Sequence, residues 1–259
     1  MSYCVYTVLF TLSDSKPEEN QYIKIFQIWL SQLIKTNGVH RCVVLIDSKT
    51  FDYLKTAYIL NKFILKKALF PISFIQFTPP KTLLEGMSYK YHKFNYDEEN
   101  LVYTDLDVLL LKPLSNLNLS LEEALHVHAE GRVFESGYTD AMSEQEKLHL
   151  DEAAAGLSAG KFIIRGKRIR DLLFAKVLEY LKEEKKEFST IEQPFFNRAI
   201  YNLKNQISIN PYSIREPVIS INCNDLTNDT VFVDFKGDPG NGKFHLDKII
   251  DFVAYSNCT

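Results

Sequence analysis

Two aspartates, Asp105 and Asp107, lie one residue apart within the otherwise apolar segment 101–113. Burying a pair of carboxylates is costly unless a cation neutralises them. Hard divalent ions such as Mg²⁺ or Mn²⁺ suit carboxylates, and Mg²⁺ commonly takes one or two carboxylates together with phosphate oxygens. The pattern therefore predicts a metal site that binds a diphosphate. The alternative is a pair of carboxylates that face water at the end of a strand, because Asp105 and Asp107 would share one strand face.

Basic and small residues elsewhere have the chemistry to complete such a site. Lys90 precedes the aspartates by 15 residues and could reach a phosphate or support the carboxylates, although a solvated helix face is the alternative. The run 153–164 is rich in small residues, including Ser158 and Gly160. Such a run allows a ligand or a second backbone to approach closely, or simply forms a tight turn.

Two further segments combine helix starts with polar groups. Thr190 suits a helix N-cap with Gln193 as its capping-box partner, which leaves Glu192 available for chemistry. The segment 231–248 runs from a strand through a Gly/Pro loop into a helix, and backbone amides in such a loop can cradle phosphates. In this segment His245 offers a nitrogen ligand for a metal and Lys248 offers a phosphate contact.

The elements that must position these groups alternate in the first half of the chain. Apolar runs predict strands over 3–12, 41–47, 71–77 and 101–104, and helical spacing predicts helices over 18–36 and 50–61. Alternating strands and helices indicate a parallel sheet with helices on both faces. Ligands bind beyond the carboxyl ends of such strands, which is where Asp105 and Asp107 fall.

The second half is less regular. A strand or short helix is predicted over 119–129 and a loop or lid over 142–150. The remaining predictions are strands over 161–165, 218–221 and 231–235, and helices over 168–188, 192–203 and 244–253. No repeat or linker interrupts the chain, so a single domain over 1–259 is expected.

Composition narrows the function classes. The 259 residues are 46% hydrophobic with a formal charge of −3, which argues against a nucleic-acid partner. The four cysteines form no C-x-x-C pair, and Cys4 and Cys42 lie in predicted buried strands, as expected of a reduced intracellular protein. Residues 3–12 are predicted to form a strand rather than a signal peptide, and no apolar run is long enough to span a membrane, so a cytoplasmic location is expected.

The order of these motifs resembles the GT-A glycosyltransferases, in particular the glycogenin and bacterial galactosyltransferase group. The pattern F-x-D-x-D-x-L-V-L-x-x-L is similar to residues 101–114, and N-A-G-V-F is similar to 158–162. D-Q-x-x-x-N is similar to 192–197, and a donor-binding lysine or arginine upstream of the aspartates matches Lys90. The chain departs from the group at Ser158 and Glu192, where the group has Asn and Asp. The late H-F-x-G-x-x-K-P-W motif is not intact.

The resemblance implies a single GT-A domain, a Rossmann-like, mainly parallel α/β sheet flanked by helices, with a nucleotide-binding half (1–114) and an acceptor half (115–259). It implies transfer of a sugar from a UDP-sugar to a hydroxyl of a glycan or glycoprotein acceptor, with Mn²⁺ or Mg²⁺ bound by Asp105, Asp107 and a third ligand. By strand register Asp234 occupies the position of the group's metal-binding histidine, but His245 is the preferred third ligand because of its glycine-rich surroundings.

The remaining site assignments follow from the same resemblance. Glu192 and Gln193 are the catalytic candidates, and Asp151 and Glu152 are alternative bases to Glu192 if the reaction inverts the anomeric centre. The residues expected to contact the donor are Thr7, Leu9, Lys90, Asp105, Leu106, Ser158, Gly160, Gly237 and Lys248.

Two other classes compete with this interpretation. Haloacid-dehalogenase-like phosphatases also have D-x-D after a buried strand, with the first Asp as nucleophile. Leu109, however, stands where Thr or Val is expected, and no later Asp-Asp metal motif follows. A sugar-nucleotide-binding protein that has lost turnover is the second alternative, given the changes at Ser158, Glu192 and Asp234.

Overall fold

A central sheet of seven strands organises the chain. The computed structural model describes residues 1–36, 38–64, 70–117, 119, 121–135, 137–183, 188–211, 230–235 and 242–256; within these ranges the side chains of 62–64, 242–245 and 254–256 are not described. The strands are β1 (Tyr3–Leu9), β2 (Arg41–Asp47), β3 (Ile72–Phe77), β4 (Asn100–Thr104), β5 (Val108–Leu110), β6 (Ala124–Arg132), β7 (Ala155–Arg165), β8 (Ile209–Asn210) and β9 (Phe232–Asp234).

The order across the large sheet is β3-β2-β1-β4-β7-β6-β8. Strands β1 to β4 pair in parallel, as their alternation with helices predicts. Strand β7 pairs antiparallel with both β4 and β6, so the second half of the chain joins the sheet beside β4, the strand that Asp105 follows. Strands β5 and β9 form a separate antiparallel pair beside the aspartates.

Helices cover both faces of the sheet. They are α1 (Tyr22–Thr36), α2 (Ser48–Thr56), α3 (Ile59–Ile64), α4 (Leu83–Ser88), α5 (Glu144–Lys147), α6 (Lys167–Glu183), α7 (Gln193–Leu203) and α8 (Gly242–Ser256). One core, which includes Phe26, Trp29 and Ile249, lies between α1, α8 and the sheet. The other lies against α6 and α7 and is dominated by aromatic rings such as Phe162 and Phe196.

The structure confirms most predicted elements and corrects several. The helix predicted over 50–61 is two helices, separated at Tyr58, which has a left-handed backbone (φ 55°). The segment 142–150 contains the short helix α5 instead of a plain loop. Strand β7 begins at Ala155, six residues before the prediction, because the small-residue run continues the strand. The strand predicted over 218–221 lies outside the described residues.

The structure also tests the predictions about the cysteines and about membrane-spanning segments. Cys4 and Cys42 are buried free thiols, as predicted, whereas Cys223 and Cys258 lie outside the described residues. Within the described ranges, no helix combines the length and apolar character needed to cross a membrane.

Candidate functional site

A cavity of about 970 Å³ opens at the carboxyl ends of β1 and β4. Its wall on one side is the segment that follows β1, and on the other side it is the segment that precedes α7. Asp105, Asp107 and Asp234 line it together with Glu192 and Gln193. The cavity therefore brings together most of the polar groups that the sequence singled out.

Strand pairing fixes the position of Asp105. It directly follows β4, and its amide N–H donates to the carbonyl of Gly160 on β7 (2.7 Å). A Cβ atom on Gly160 would lie 2.8 Å from Oδ2 of Asp105. A side chain at position 160 would therefore displace this carboxylate from its present position.

Lys90 connects Asp105 to Glu192. The Lys90 side chain is completely buried, and its Nζ lies 2.6 Å from Oε1 of Glu192 and 3.5 Å from Oδ1 of Asp105. The same ammonium donates to the carbonyl of Ala159 (3.1 Å) and lies 4.4 Å above the ring of Tyr103. Lys90 therefore sits beneath the cavity as a hub between two carboxylates and is not part of its lining.

Aromatic rings surround this hub on its buried side. Tyr103 stacks on Phe162, which stacks on Phe196, and the hydroxyl of Tyr103 donates to Oδ1 of Asp105. The rings exclude water from Lys90, which strengthens the electrostatic attraction between its ammonium group and the two carboxylates. Burial acts to lower the pKa of Lys90, but Asp105 and Glu192 outweigh it and raise that pKa above its usual value.

A β-bulge in β7 places small residues of this strand at the cavity wall. Strand β7 passes from Phe162 to Leu157 while its partner β6 passes only from Val127 to Ala129. The extra residues include Ser158 and Gly160, both of which line the cavity. Bulges of this kind commonly occur beside functional sites, where they redirect side chains.

Helix α7 is tied to this bulge through side-chain amides. Asn197 pairs with Leu157 by two hydrogen bonds, accepting from the amide N–H at 2.9 Å and donating to the carbonyl at 2.8 Å. Gln193 accepts from the N–H of Ala159 (3.2 Å). These bonds hold the N-terminal end of α7, and with it Glu192, at a fixed position over β7.

The approach to α7 is strained. Ile191 has a left-handed backbone (φ 53°), an uncommon conformation for a β-branched residue. The predicted capping box is wrong: Glu192 is the N-cap and makes no capping hydrogen bond, and the buried hydroxyl of Thr190 has no partner. The turn at Ile191 instead directs Glu192 toward Lys90.

A second buried ion pair lies beside Asp107. Lys161 on β7 is completely buried, and its Nζ lies 2.5 Å from Oδ2 of Asp234 on β9. The backbone of β9 is joined to Asp107 as well, because the N–H of Phe235 donates to the carbonyl of Asp107 (3.0 Å). Asp234 thus lines the cavity, and its carboxylate is paired with Lys161.

The aspartate pair lies in an environment that opposes its ionisation. Although 28% of the Asp105 side chain is exposed, the protein surrounds it on most sides. Lost hydration, opposed by Lys90 and reinforced by Glu192, raises the pKa of Asp105 to about 6. Lost hydration and the charges of Asp105 and Asp234 raise the pKa of Asp107 well above its ordinary value. Added positive charge between the two carboxylates would relieve both shifts.

The structure separates the other predicted residues into three sets. Leu9 and Leu106 line the cavity, whereas Thr7 is buried within β1 and does not. Lys248 lies partly exposed on α8, away from the cavity wall. His245 belongs to the first turn of α8, but its side chain is not described, and Gly237 lies outside the described residues.

The alternative catalytic bases lie outside the cavity, whereas a carboxylate that the sequence did not single out lies in it. Asp151 and Glu152 are exposed and do not line the cavity. Glu130 on β6 does line it, and its carboxylate accepts from the hydroxyl of Tyr138 (3.0 Å). Nothing in the sequence around Glu130 distinguishes it from a solvated residue. Lys161 was missed because its partner is 73 residues away.

Comparison with known proteins places the architecture. No protein-family model matches the sequence, and no curated protein matches it. The galactosyltransferase LgtC in complex with donor and acceptor sugar analogs matches with a TM-score of 0.59 and 14% identity, covering 96% of this chain and 95% of that one. The fold is that of the GT-A glycosyltransferases. The predicted GT-A architecture, with its mainly parallel sheet flanked by helices, is thereby confirmed.

Two larger proteins contain the same architecture. The bifunctional glycosyltransferase WbbM matches with a TM-score of 0.59 and 12% identity over 98% of this chain and 50% of WbbM. The glycosyltransferase GlyE of Streptococcus pneumoniae TIGR4 matches with a TM-score of 0.55 and 13% identity over 98% of this chain and 64% of GlyE. At these identities the likeness shows the fold alone.

Proposed function

We propose that this protein is a metal-dependent glycosyltransferase that moves a sugar from a nucleoside-diphosphate sugar, with UDP-sugars as the preferred donors, to a hydroxyl of a glycan or other acceptor. The observation that carries the proposal is the placement of Asp105 and Asp107 in a large cavity at the carboxyl ends of parallel strands, beside a Lys90–Glu192 pair. Ligands of open α/β sheets bind at this edge.

The charges at the site suit a divalent cation. Lys90 is shared between Glu192 and Asp105, and Lys161 is paired with Asp234. Asp105 and Asp107 therefore keep an excess of negative charge, and the neighbouring carboxylates add to lost hydration in raising their pKa values. Among the described side chains, no group of three or more His, Cys, Asp and Glu forms a metal site. Two carboxylates with phosphate oxygens are a sufficient set for Mg²⁺ or Mn²⁺.

The cavity has room for the donor. Pockets for small ligands usually measure about 300–1,000 Å³, and this one measures about 970 Å³. Its wall includes backbone after β1, at Phe10 and Thr11, where we place the nucleobase. The diphosphate then lies at Asp105 and Asp107, and the sugar points toward Glu192 and Gln193.

Each residue has a defined task in this arrangement. Asp105 and Asp107 would hold the cation, which as a Lewis acid offsets the charge that develops on the departing diphosphate. Lys90 holds Asp105 and Glu192 at a fixed separation. Glu192 and Gln193 present oxygen atoms to the reacting sugar, where positive charge develops in the transition state.

One solved neighbour, LgtC, also has a glutamine in its active site. A second LgtC structure is described as an active-site mutant in which glutamine is replaced by glutamate, and it matches with a TM-score of 0.58 over 96% of this chain. In this chain Gln193 follows Glu192 at the cavity wall and is fixed by Ala159. From its place at the cavity wall we infer that Gln193 faces the donor sugar.

Donor turnover tests the proposal directly. UDP release from a panel of UDP-sugars should require Mn²⁺ or Mg²⁺, and Asp107→Asn should reduce the rate at least about a hundredfold with an unchanged circular dichroism spectrum. Asp52→Asn, on the exposed face of α2, is the matched control and should be fully active. Full activity in Asp107→Asn would refute the role of Asp107 in metal binding.

The same assay separates the alternatives. A protein that binds UDP and Mn²⁺, as shown by an increase in melting temperature, but turns over no donor is the non-catalytic sugar-nucleotide-binding protein. The phosphatase alternative has lost its structural basis because the fold is GT-A. It would return only if a phosphatase substrate left a phosphorylated Asp105.

A further inference from the structure

The Lys161–Asp234 pair lies next to Asp105 and Asp107 in the strand registers. Lys161 faces Thr104 in the β4–β7 register, one residue before Asp105, and Asp234 faces Val108 in the β5–β9 register, one residue after Asp107. The pair thus brackets both aspartates. Asp234 also lines the cavity, and its negative charge acts on both Asp105 and Asp107.

The geometry commits Asp234 to its lysine. The Nζ–Oδ2 distance is 2.5 Å, and neither side chain has substantial access to water. A charge-assisted hydrogen bond is roughly twice as strong as one between neutral groups. Without Lys161, the Asp234 carboxylate would add a third negative charge beside Asp105 and Asp107 and would strengthen the attraction of the site for cations.

We propose that Lys161 sets the charge of the cation site by neutralising Asp234, so that the cation is bound by Asp105 and Asp107 without a third carboxylate. This inference rests on the proposed function, in which those two residues hold the metal. Its consequence is that the protein alone binds Mn²⁺ weakly and the diphosphate of the donor supplies the missing negative ligands. Metal and nucleotide therefore bind cooperatively, and Lys161 is the positioning residue responsible.

Three forms of the protein test this role. Mn²⁺ binding is measured by electron paramagnetic resonance, with and without UDP, for the wild type, Lys161→Met and the double variant Lys161→Met/Asp234→Asn. Lys161→Met frees the Asp234 carboxylate and should bind Mn²⁺ without UDP at least about tenfold more tightly than the wild type. The double variant restores neutrality and should bind within about threefold of the wild type.

Two results would overturn the inference. One is an unchanged Mn²⁺ affinity in Lys161→Met. The other is a double variant that binds Mn²⁺ with UDP at least about tenfold more weakly than the wild type, because that loss would make Asp234 itself a ligand. If Lys161→Met fails to fold because Asp234 is left unpaired, the double variant decides alone: wild-type affinity supports the inference and weakened affinity overturns it.

Parallel turnover measurements keep this inference separate from the proposed function. Mn²⁺ affinities that change as expected in a protein that turns over no UDP-sugar would leave the role of Lys161 standing and remove the transferase proposal. Metal-dependent turnover with identical Mn²⁺ affinities in all three proteins would support the transferase proposal and overturn the role of Lys161.

Discussion

Replacing Lys90 by methionine should destabilise the protein more than any other single substitution at the site. Methionine approximates the length of the lysine stem but removes the charge from a completely buried position. The Glu192 carboxylate, 2.6 Å from Nζ and almost fully buried, would lose its cation, and Asp105 would lose one at 3.5 Å. The carbonyl of Ala159 would lose a donor at 3.1 Å.

The expected magnitude follows from these contacts. Breaking a buried ion pair by removing one partner costs about 3–5 kcal/mol, because the remaining charge stays buried and uncompensated. In a domain of this size each kcal/mol lowers the melting temperature by about 2–4 °C, so a decrease of roughly 6–20 °C is expected. Adding Glu192→Gln removes the stranded charge and should recover at least about 1.5 kcal/mol of the loss.

Urea unfolding at neutral pH, followed by circular dichroism, measures the two single variants and the double variant. The coupling free energy from this double-mutant cycle isolates the Lys90–Glu192 interaction. A loss below about 1 kcal/mol in Lys90→Met, or strictly additive effects in the cycle, would refute the description of Lys90 as a buried hub.

Two further substitutions test other parts of the structure. Gly160→Ala would place a Cβ atom 2.8 Å from Oδ2 of Asp105, and the displaced carboxylate should reduce Mn²⁺-dependent UDP release on the order of 10²-fold with little change in melting temperature. Partial burial opposes ionisation of Glu146, but hydrogen bonds from Arg198, Ser143 and Asn202 outweigh it and lower the pKa of Glu146 from 4.5 to about 2. A carboxyl group whose pKa is lowered by folding stabilises the folded state at pH values above its ordinary pKa, and this stabilisation disappears as the pH falls toward 2. Glu146→Gln should therefore reduce the free energy of unfolding by about 1–2 kcal/mol at pH 7 and by progressively less below about pH 4.5. Urea unfolding at each pH measures this loss.

Matched controls are available for both substitutions. Gly131→Ala places its Cβ 2.9 Å from the flexible end of the Glu135 side chain, which can rotate away, so turnover should be unaffected. Glu144→Gln alters a carboxylate in the same helix that is 89% exposed, so it should leave stability unchanged. Full activity in Gly160→Ala, or a pH-independent loss in Glu146→Gln, would contradict the corresponding arguments.

Local sequence patterns were sufficient for the parallel half of the fold. Strands β1 and β2 are continuous apolar runs, and α1 repeats its apolar residues at helical spacing, so their existence follows from periodicity alone. The aspartate pair follows a strand that the same reasoning finds. Its place at a ligand-binding edge then follows from the rule for parallel sheets.

The parts that depend on distant contacts could not be predicted. The burial of Lys161 is tolerable only because Asp234 comes from another strand, and sequence spacing does not show which strands meet. The small residues that extend β7 to Ala155 have low strand propensity and form a strand only because β6 pairs with them. The backbone turn at Ile191 is a tertiary constraint, since no local preference of isoleucine favours it.

The hydrogen bond between α1 and β4 has a practical consequence. Trp29 is the only tryptophan in the sequence, and its indole N–H donates to Oγ1 of Thr104 (3.1 Å), the residue immediately before Asp105. The chain therefore carries an intrinsic fluorophore that is hydrogen-bonded to the residue next to its aspartate pair. Emission from that indole should report occupancy of the cleft without any label, even against the background of 14 tyrosines.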